Sequence, residues 1–444
     1  MSRFVRRLLY TAVAGAMLTA SAGAQLLPSV SLPPISLPAP VGNVPVVGPV
    51  VQDVLTQPQA QRAIQPTLDS VSGLPESIAE AGAPTLLELR RLRLQELVRQ
   101  NRAQLETDNA GQPVRRGVLV AVDPDPLSLQ LAVRAGFRIV SDNRDPALGI
   151  RTVQMAVPSS MNARAALKLL QRLAPQLQVD FDHLYEPAGG ALLPMHAALA
   201  SFAGIASGRV VGMIDGGVAS HPSLAGAAIE QNGFAGSPQP TGHGTAVASL
   251  LVGSRGPFRG AATGARLFVA DVYGGNRAAG SATAIVRALG WLVSHRPQVI
   301  NISLVGPSNK LVARAIQLVQ SRGIEVVAAV GNDGPAAPAQ YPASYPGVLA
   351  ITAVDAGGRA LPEAGKPTHL DFAAPGADMA AALPGRGYAR VRGTSFAAPL
   401  AAGRLLLAGS PARLAAEARP GRGRVGRGIV CGECRVDPRT VGAK

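Results

Sequence analysis

The sequence predicts an α/β fold: a mainly parallel sheet with helices on both faces, preceded by a small α+β unit. Three observations carry this. Between about residues 193 and 408, short β-branched runs alternate with longer amphipathic runs, the pattern of strands buried on both faces by crossover helices. Just upstream, residues 116–186 alternate strand and helix in the order βαββαβ, a split βαβ arrangement. Finally, glycine-flanked polar residues stand where strands end and helices begin, the places where such folds build their sites.

Residues 1–24 read as a signal peptide. Arg3, Arg6 and Arg7 precede an apolar run from Leu8 to Leu18, and Ala22-Gly23-Ala24 offers a small-residue cleavage site. The run is well short of the roughly 20 residues that span a bilayer. Export is therefore expected, to the periplasm or the exterior, without a transmembrane anchor. The Arg6-Arg7 pair also fits twin-arginine export. Residues 25–84 read as a Pro-rich linker, with nine prolines between residues 25 and 66. Residues 85–115 read as an amphipathic helix and linker. The Arg-rich pattern through Glu106 suits packing on a neighbouring domain better than an anionic membrane surface.

Within residues 116–186 the strands are Val118–Val122, Phe137–Val140, Thr152–Val157 and Gln178–Asp182, and the helices Pro126–Ala135 and Asn162–Leu173. That order is ferredoxin-like. Residues 187–410 form the larger domain. Its expected strands are Val210–Ile214, Ala265–Ala270, Val299–Leu304, Ile324–Val330 and Val348–Val354. Between them lie helices beginning near His243, from Ala282 to Ser294, and from Asn309 to Gln320; a last helix runs from Ser395 to about Ala408.

Four polar residues sit at these junctions. Asp215 ends a buried strand and is followed by a glycine pair; His243 stands between Gly242 and Gly244 at a helix mouth. Ser395 follows Gly393-Thr394 directly into a helix. There, unpaired backbone N–H groups and the helix dipole favour developing negative charge, the setting a nucleophilic serine needs. Asn332 ends the strand Val326–Val330, after Gly331. Taken singly, each has a plainer reading as a turn former or helix cap. Together, in the chain order Asp, His, Ser, they match the order of subtilisin.

From roughly Leu193 to Ala408 the chain thus resembles the subtilisin-like serine proteases, the subtilase family. The resemblance implies that Ser395 attacks a peptide carbonyl, His243 takes and returns the proton, and Asp215 orients the imidazole. It implies that Asn332 donates to the oxyanion. Ser303-Leu304-Val305-Gly306 resembles the family's edge strand that pairs with substrate, and Ala329-Val330-Gly331 the wall of the pocket for the residue before the cut. Val305 and Val330 stand where glycine and alanine are usual, which predicts a shallow pocket. The turn Asp215-Gly216-Gly217 lacks the family's usual hydroxyl. The ferredoxin-like unit resembles the family's propeptide, an intramolecular inhibitor, with His183-Leu184-Tyr185-Glu186-Pro187 expected in the cleft. Self-processing is then expected between about His183 and Ser207, though not at the Glu186–Pro187 bond, because proline disturbs binding of an extended chain.

The partners implied are protein or peptide substrates and the propeptide itself, with a monomer expected. No cofactor is implied, and no metal: no acidic cluster has calcium-loop spacing. His183, His196, His221, His295 and His369 lack glycine-flanked settings and read as structural. The net charge of +15 invites a nucleic-acid reading. Yet aromatics are 4%, so stacking platforms are scarce, and the last 41 residues hold 9 basic against 3 acidic side chains. No nucleic acid is expected; a basic Gly/Arg-rich tail over residues 411–444, flexible from Arg419 to Arg427, accounts for much of the charge. Its Cys431-Gly432-Glu433-Cys434 is a disulfide candidate, as an even count in an exported chain suggests. An outer-membrane barrel finds no room in that tail. Two other readings compete: an inactive scaffold of the same fold, and an α/β-hydrolase esterase. The esterase elbow requires glycine where Ala397 stands.

Overall fold

Periodicity alone accounts for most of the elements in the computed structural model, which describes residues 83–189, 191–193, 206–385 and 387–443. The signal peptide and nearly all of the Pro-rich linker fall outside the described residues, as does His196. The chain first forms α1 (Ala83–Gln100), then β1 (Leu105–Thr107), β2 (Pro113–Val122), α2 (Pro126–Arg134), β3 (Arg138–Arg144), β4 (Arg151–Ala156), α3 (Ala163–Leu173) and β5 (Gln178–His183). From β2 onward this is the βαββαβ order read from the sequence. β1 is an addition, pairing antiparallel with the start of β2 inside what reads as a linker.

Asp125 and Asn162 cap α2 and α3, each accepting a backbone N–H three residues on. The buried faces of the two helices cover one side of the sheet, around Leu119, Phe137, Met155, Leu170 and Phe181. The other side faces the larger domain through β5. With its period of two, β5 points Asp180 and Asp182 the same way. Asp182 accepts the Thr283 N–H at 3.0 Å and Asp180 the Lys310 N–H at 2.9 Å. These are the opening turns of two helices of the larger domain, where carboxylates complement the dipole. Asp182 is fully buried, and burial pushes its carboxyl up.

Two short strands follow, β6 (Glu186–Pro187) and β7 (Ala191–Leu193). The larger domain then runs β8 (Val210–Asp215), β9 (Ile229–Gly233), α4 (Gly242–Val252), the hairpin β10 (Ser254–Arg255) and β11 (Phe258–Arg259), and β12 (Arg266–Asp271). Next come α5 (Ala282–Ser294), β13 (Val299–Ile302), β14 (Leu304–Val305), α6 (Lys310–Gln320), β15 (Glu325–Ala329), β16 (Leu349–Val354) and β17 (Phe372–Pro375). A hairpin of β18 (Met379–Leu383) and β19 (Gly387–Arg392) leads into α7 (Thr394–Ala408) and α8 (Pro411–Glu417).

Seven strands form one sheet in the order β17-β16-β15-β13-β8-β12-β9, parallel at every pairing. β8 lies at the switch point: the chain leaves it toward β12 on one side and later builds β13 on the other. Its carboxyl end is where an open α/β sheet leaves a crevice.

One expectation fails. The Gly/Arg-rich stretch from Arg419 to Arg427 is not loose: Arg419 and Ile429 exchange backbone hydrogen bonds, Arg422 donates to the Gly358 carbonyl and Arg427 to the Asp371 carbonyl. The rest of the tail is tied down too. Ala373 donates its N–H to the Gly428 carbonyl and accepts the Val430 N–H, and Ala380 donates to the Val436 carbonyl. Leu414, Val430, Val436 and Ala443 are buried, and Cys431 is joined to Cys434 by a disulfide. Among the described residues, no helix is long and apolar enough to cross a membrane, and no cluster of three His, Cys, Asp or Glu side chains is placed to hold a metal.

Candidate active site

Asp215 is carried to the switch point by a strand whose last five residues are buried. Its Oδ1 accepts the Gly216 N–H at 2.7 Å and faces His243 Nδ1 at 2.9 Å. His243 is the second residue of α4. Thr241 caps that helix, accepting the Gly244 N–H at 2.9 Å. The glycines here are steric. A Cβ on Gly244 would come within 2.3 Å of the Gly216 carbonyl, and one on Gly216 within 2.5 Å of the Thr241 hydroxyl. The helix mouth therefore packs directly on the turn after Asp215. The hydroxyl missing from position 216 has no room, because Thr241 fills its place.

Ser395 is the second residue of α7, and Gly393 before it adopts φ 139°, a conformation that suits glycine. The Ser395 hydroxyl is buried and donates to the Ser303 carbonyl at 3.5 Å. The rings of Phe396 and His243 lie 5.5 Å apart, so the two helix mouths face each other. His243 Nε2 and Asp215 Oδ2 are buried and have no hydrogen-bond partner among the described residues. The structure thus makes the Asp215–His243 hydrogen bond, sets Phe396, the neighbour of Ser395, against His243, and turns the serine hydroxyl toward Ser303.

Asn332 is oriented by its amide oxygen, which accepts the Thr394 N–H at 2.9 Å. Gly331, at φ 90°, donates to the Thr394 hydroxyl at 3.1 Å. Thr394 thereby ties the strand-end loop to the serine helix. With its oxygen held, the Asn332 side-chain nitrogen donates to the carbonyls of Ala188 and Gly189.

Those carbonyls belong to the segment that leaves the small domain. β6 pairs antiparallel with β14, Pro187 opposite Leu304 and Glu186 opposite Val305. Ala188 donates its N–H to the Ser303 carbonyl at 3.0 Å, the same carbonyl that holds the Ser395 hydroxyl. On the other flank Tyr185 donates to the Gly280 carbonyl at 2.7 Å, and Leu184 bridges Ser281. Residues 184–188 therefore lie as a strand between two edges of the larger domain. Val305 closes on Gly331, whose Cβ position would be 3.4 Å from a Val305 methyl. Leu304, Val305, Ala329 and Val330 are all buried in the main core.

Sequence reasoning missed the far edge. Tyr185 is fully buried, its hydroxyl donates to the Pro307 carbonyl at 3.0 Å, and the Tyr273 hydroxyl donates to the Tyr185 carbonyl at 3.2 Å. A Cβ on Gly306 would meet the Tyr185 ring at 2.5 Å, so Gly306 makes the space for it. Burial pushes both phenols well above the ordinary tyrosine value, which keeps them neutral donors. The available signal was Ala279-Gly280-Ser281, small residues just before a helix. Of the remaining histidines, His221 packs against Ser223 and the Gly387 carbonyl, and His183 between Asp108 and Asn309.

Known proteins share this arrangement of chain. The subtilase family model matches residues 206–415. Subtilisin Savinase of Lederbergia lenta is 34% identical over 202 residues, which cover 44% of this chain and 74% of that protein. An alkaline protease of Alkalihalobacillus alcalophilus is also 34% identical over 202 residues, and there the match spans 53% of its length. The crystal structure of fervidolysin from Fervidobacterium pennivorans, described as a keratinolytic enzyme related to subtilisin, superposes with a TM-score of 0.61 at 19% identity. That superposition covers 74% of this chain and 61% of fervidolysin and speaks for the fold alone. Fold and sequence likeness agree: this chain belongs to the subtilase family of serine endopeptidases.

Proposed function

We propose that this chain is the precursor of an exported serine endopeptidase that cuts itself between Ala188 and Gly189. One observation carries the reading. Residues 184–188 lie in the cleft as an extended strand, with the Ala188 N–H on the Ser303 carbonyl beside the Ser395 hydroxyl, and the Ala188 carbonyl on Asn332. A chain held by strand addition, with a side-chain amide at the carbonyls of Ala188 and Gly189, is in the pose of a substrate. The Ala188 N–H on the Ser303 carbonyl supports Ala188 as the residue before the cut.

The steps follow from that pose. Ser395 Oγ turns from the Ser303 carbonyl to His243 Nε2, which has no other partner among the described residues, and attacks the Ala188 carbonyl carbon as its proton passes to Nε2. Asp215 holds Nδ1 and stabilises the imidazolium. The oxyanion is met by the Asn332 side-chain N–H and by the Ser395 backbone N–H at the mouth of α7. His243 returns its proton to the Gly189 nitrogen as the Ala188–Gly189 bond breaks. Water then hydrolyses the acyl-enzyme, with His243 again as base, and leaves Ala188 as a free carboxylate. The ferredoxin-like domain is the inhibitor: its Asp180 and Asp182 hold two helix N-termini while its C-terminal strand fills the cleft.

N-terminal sequencing checks the cut. The mature fragment is expected to begin at Gly189; a start elsewhere, or the same start in a Ser395→Ala protein made in a protease-deficient host, overturns the proposal. Specificity gives a second check. Ala188 occupies the position before the cut, and Val305 and Val330, both buried, stand where smaller residues are usual in the pocket of the family, which predicts little depth there. Small or medium apolar residues should be favoured over Phe or Tyr at that position. A methylene in such a pocket is worth about 1–3 kcal/mol, so the preference should be graded. Profiling with a peptide library measures it, and a strong preference for large aromatics contradicts the assignment.

A further inference from the structure

Helix α1 lies N-terminal to the βαββαβ elements and supplies no group to the reaction just described. Its apolar and arginine positions fall on one face: Leu86, Arg90, Arg93, Leu94, Leu97 and Val98 recur at helical spacing. Leu86 and Leu94 are buried, whereas Leu92, on the opposite side, is 56% exposed. Leu86 closes over Gly334, two residues beyond Asn332, where an added Cβ would be 3.1 Å from its methyl. Leu97 and Val98 pack against a cluster formed by Leu105, Leu184 of the cleft strand and Ala278 of the catalytic domain.

The two arginines go further. Arg90 is 7% exposed; its Nε donates to Asp333 at 2.9 Å and its guanidinium also reaches Gln112 at 3.0 Å. Arg93 donates to the other oxygen of Asp333 at 3.0 Å and to Glu186 at 3.4 Å. Asp333 directly follows Asn332, and Glu186 stands two residues before Ala188. Arg93 bridges the two carboxylates; without it Asp333 keeps Arg90, while Glu186 keeps, among the described residues, only Arg277 at 3.9 Å. Burial works against the charge of Arg93, but Glu186 and Asp333 outweigh it and hold its guanidinium above the ordinary arginine value. Ion pairs this sheltered are costly to break one-sidedly, because the carboxylates left behind are uncompensated.

We propose that α1 is a clamp that keeps the cut prodomain on the active site. It grips the loop that carries Asn332 through Asp333 and the cut chain through Glu186, so breaking the Ala188–Gly189 bond does not free the cleft. Letting go of α1 sets the delay between cutting and activity. This rests on the self-processing reading, and the test separates the two.

The test compares wild-type full-length chain with Arg90→Gln/Arg93→Gln. Appearance of the cut is followed on gels, and hydrolysis of a chromogenic Tyr-Glu-Pro-Ala anilide in the same samples. Both proteins should be cut at the same bond. In the double variant the lag between cut and hydrolysis should shorten at least about tenfold. The kcat/KM of the mature enzymes should agree, since α1 has left with the prodomain. An unchanged lag after normal cutting overturns the clamp. Arg93→Gln alone, at a partly exposed side chain, covers the case in which the double variant does not fold, and Arg93→Lys should restore most of the delay. If wild type is not cut at all, the self-processing reading fails, and the clamp is decided in the uncut Ser395→Ala chain by hydrogen exchange. There, amides of residues 86–100 should exchange at least about tenfold faster in the arginine variant; equal rates overturn it.

Discussion

Ser395→Ala is expected to leave an uncut precursor with no measurable hydrolysis of casein or peptide. Removing Oγ removes the bond-forming atom, and His243 then has nothing to activate, since its Nε2 has no other partner among the described residues. The loss should be roughly 10⁶-fold in turnover, the size known for the nucleophile of subtilisin itself rather than one obtained from these distances. His243→Ala should cost about as much, because the two act as one unit. The fold should survive: among the described residues the serine side chain makes only the 3.5 Å hydrogen bond to the Ser303 carbonyl, and alanine is a good helix former at that position. Fluorophosphonate labelling is the direct measurement. Wild type should be labelled at Ser395 and Ser395→Ala not at all. Labelling without peptide cleavage would favour the esterase reading, and an unlabelled, processed wild type the inactive scaffold. Full proteolysis by Ser395→Ala, with contaminating proteases excluded, would contradict the assignment outright.

Asn332→Ala is the second large effect. Its amide does two things: the oxygen holds the Thr394 N–H at 2.9 Å, and the nitrogen meets the Ala188 carbonyl. Only the second bond strengthens as charge develops on that oxygen, so turnover should fall with KM little changed. About 10²–10³ in kcat is expected, again a figure belonging to subtilisin. Loss of the Thr394 contact leaves an N–H at the first turn of α7 unpaired. Asn332→Asp separates the two functions. It keeps the acceptor for Thr394 but offers a carboxylate where a donor is needed, and should be no more active than Asn332→Ala. Steady-state kinetics on a peptide substrate distinguishes the cases: a rise in KM without a fall in kcat would mean that Asn332 binds substrate and does nothing for the oxyanion.

How much of this was legible beforehand depends on the range of the forces involved. The alternation of β-branched strands with amphipathic helices is local. Strands such as Val299–Ile302 and Leu349–Val354 declare themselves because a strand buried on both faces must be apolar throughout. Asp215, His243, Ser395 and Asn332 were legible for a related reason. Each sits beside glycines whose sequence positions record a steric demand, as at Gly244 against the Gly216 carbonyl and Gly393 at φ 139°. Most strand boundaries moved by a residue or two, as end effects do, but β2 begins five residues before Val118 and β3 ends four beyond Val140.

What the tertiary structure decided is what depends on contacts between distant residues. Nothing local in Leu184-Tyr185-Glu186-Pro187-Ala188 marks a strand. It is one because two edges of the catalytic domain supply partners for its backbone, and the proposal of a cut after Ala188 rests on that pairing. The hairpin β18–β19 owes its place likewise to pairing, with β7 and with each other. The tail misled for the converse reason. Its glycines and arginines read as flexible, but Val430 and Val436 are buried and their backbones bond to Ala373 and Ala380, and composition does not show which strands will receive them. Arg90 and Arg93 show the same limit: the sequence presents them only as part of an Arg-rich amphipathic helix. Only the fold places Asp333, some 240 residues away in the chain, and Glu186 where those two charges are needed.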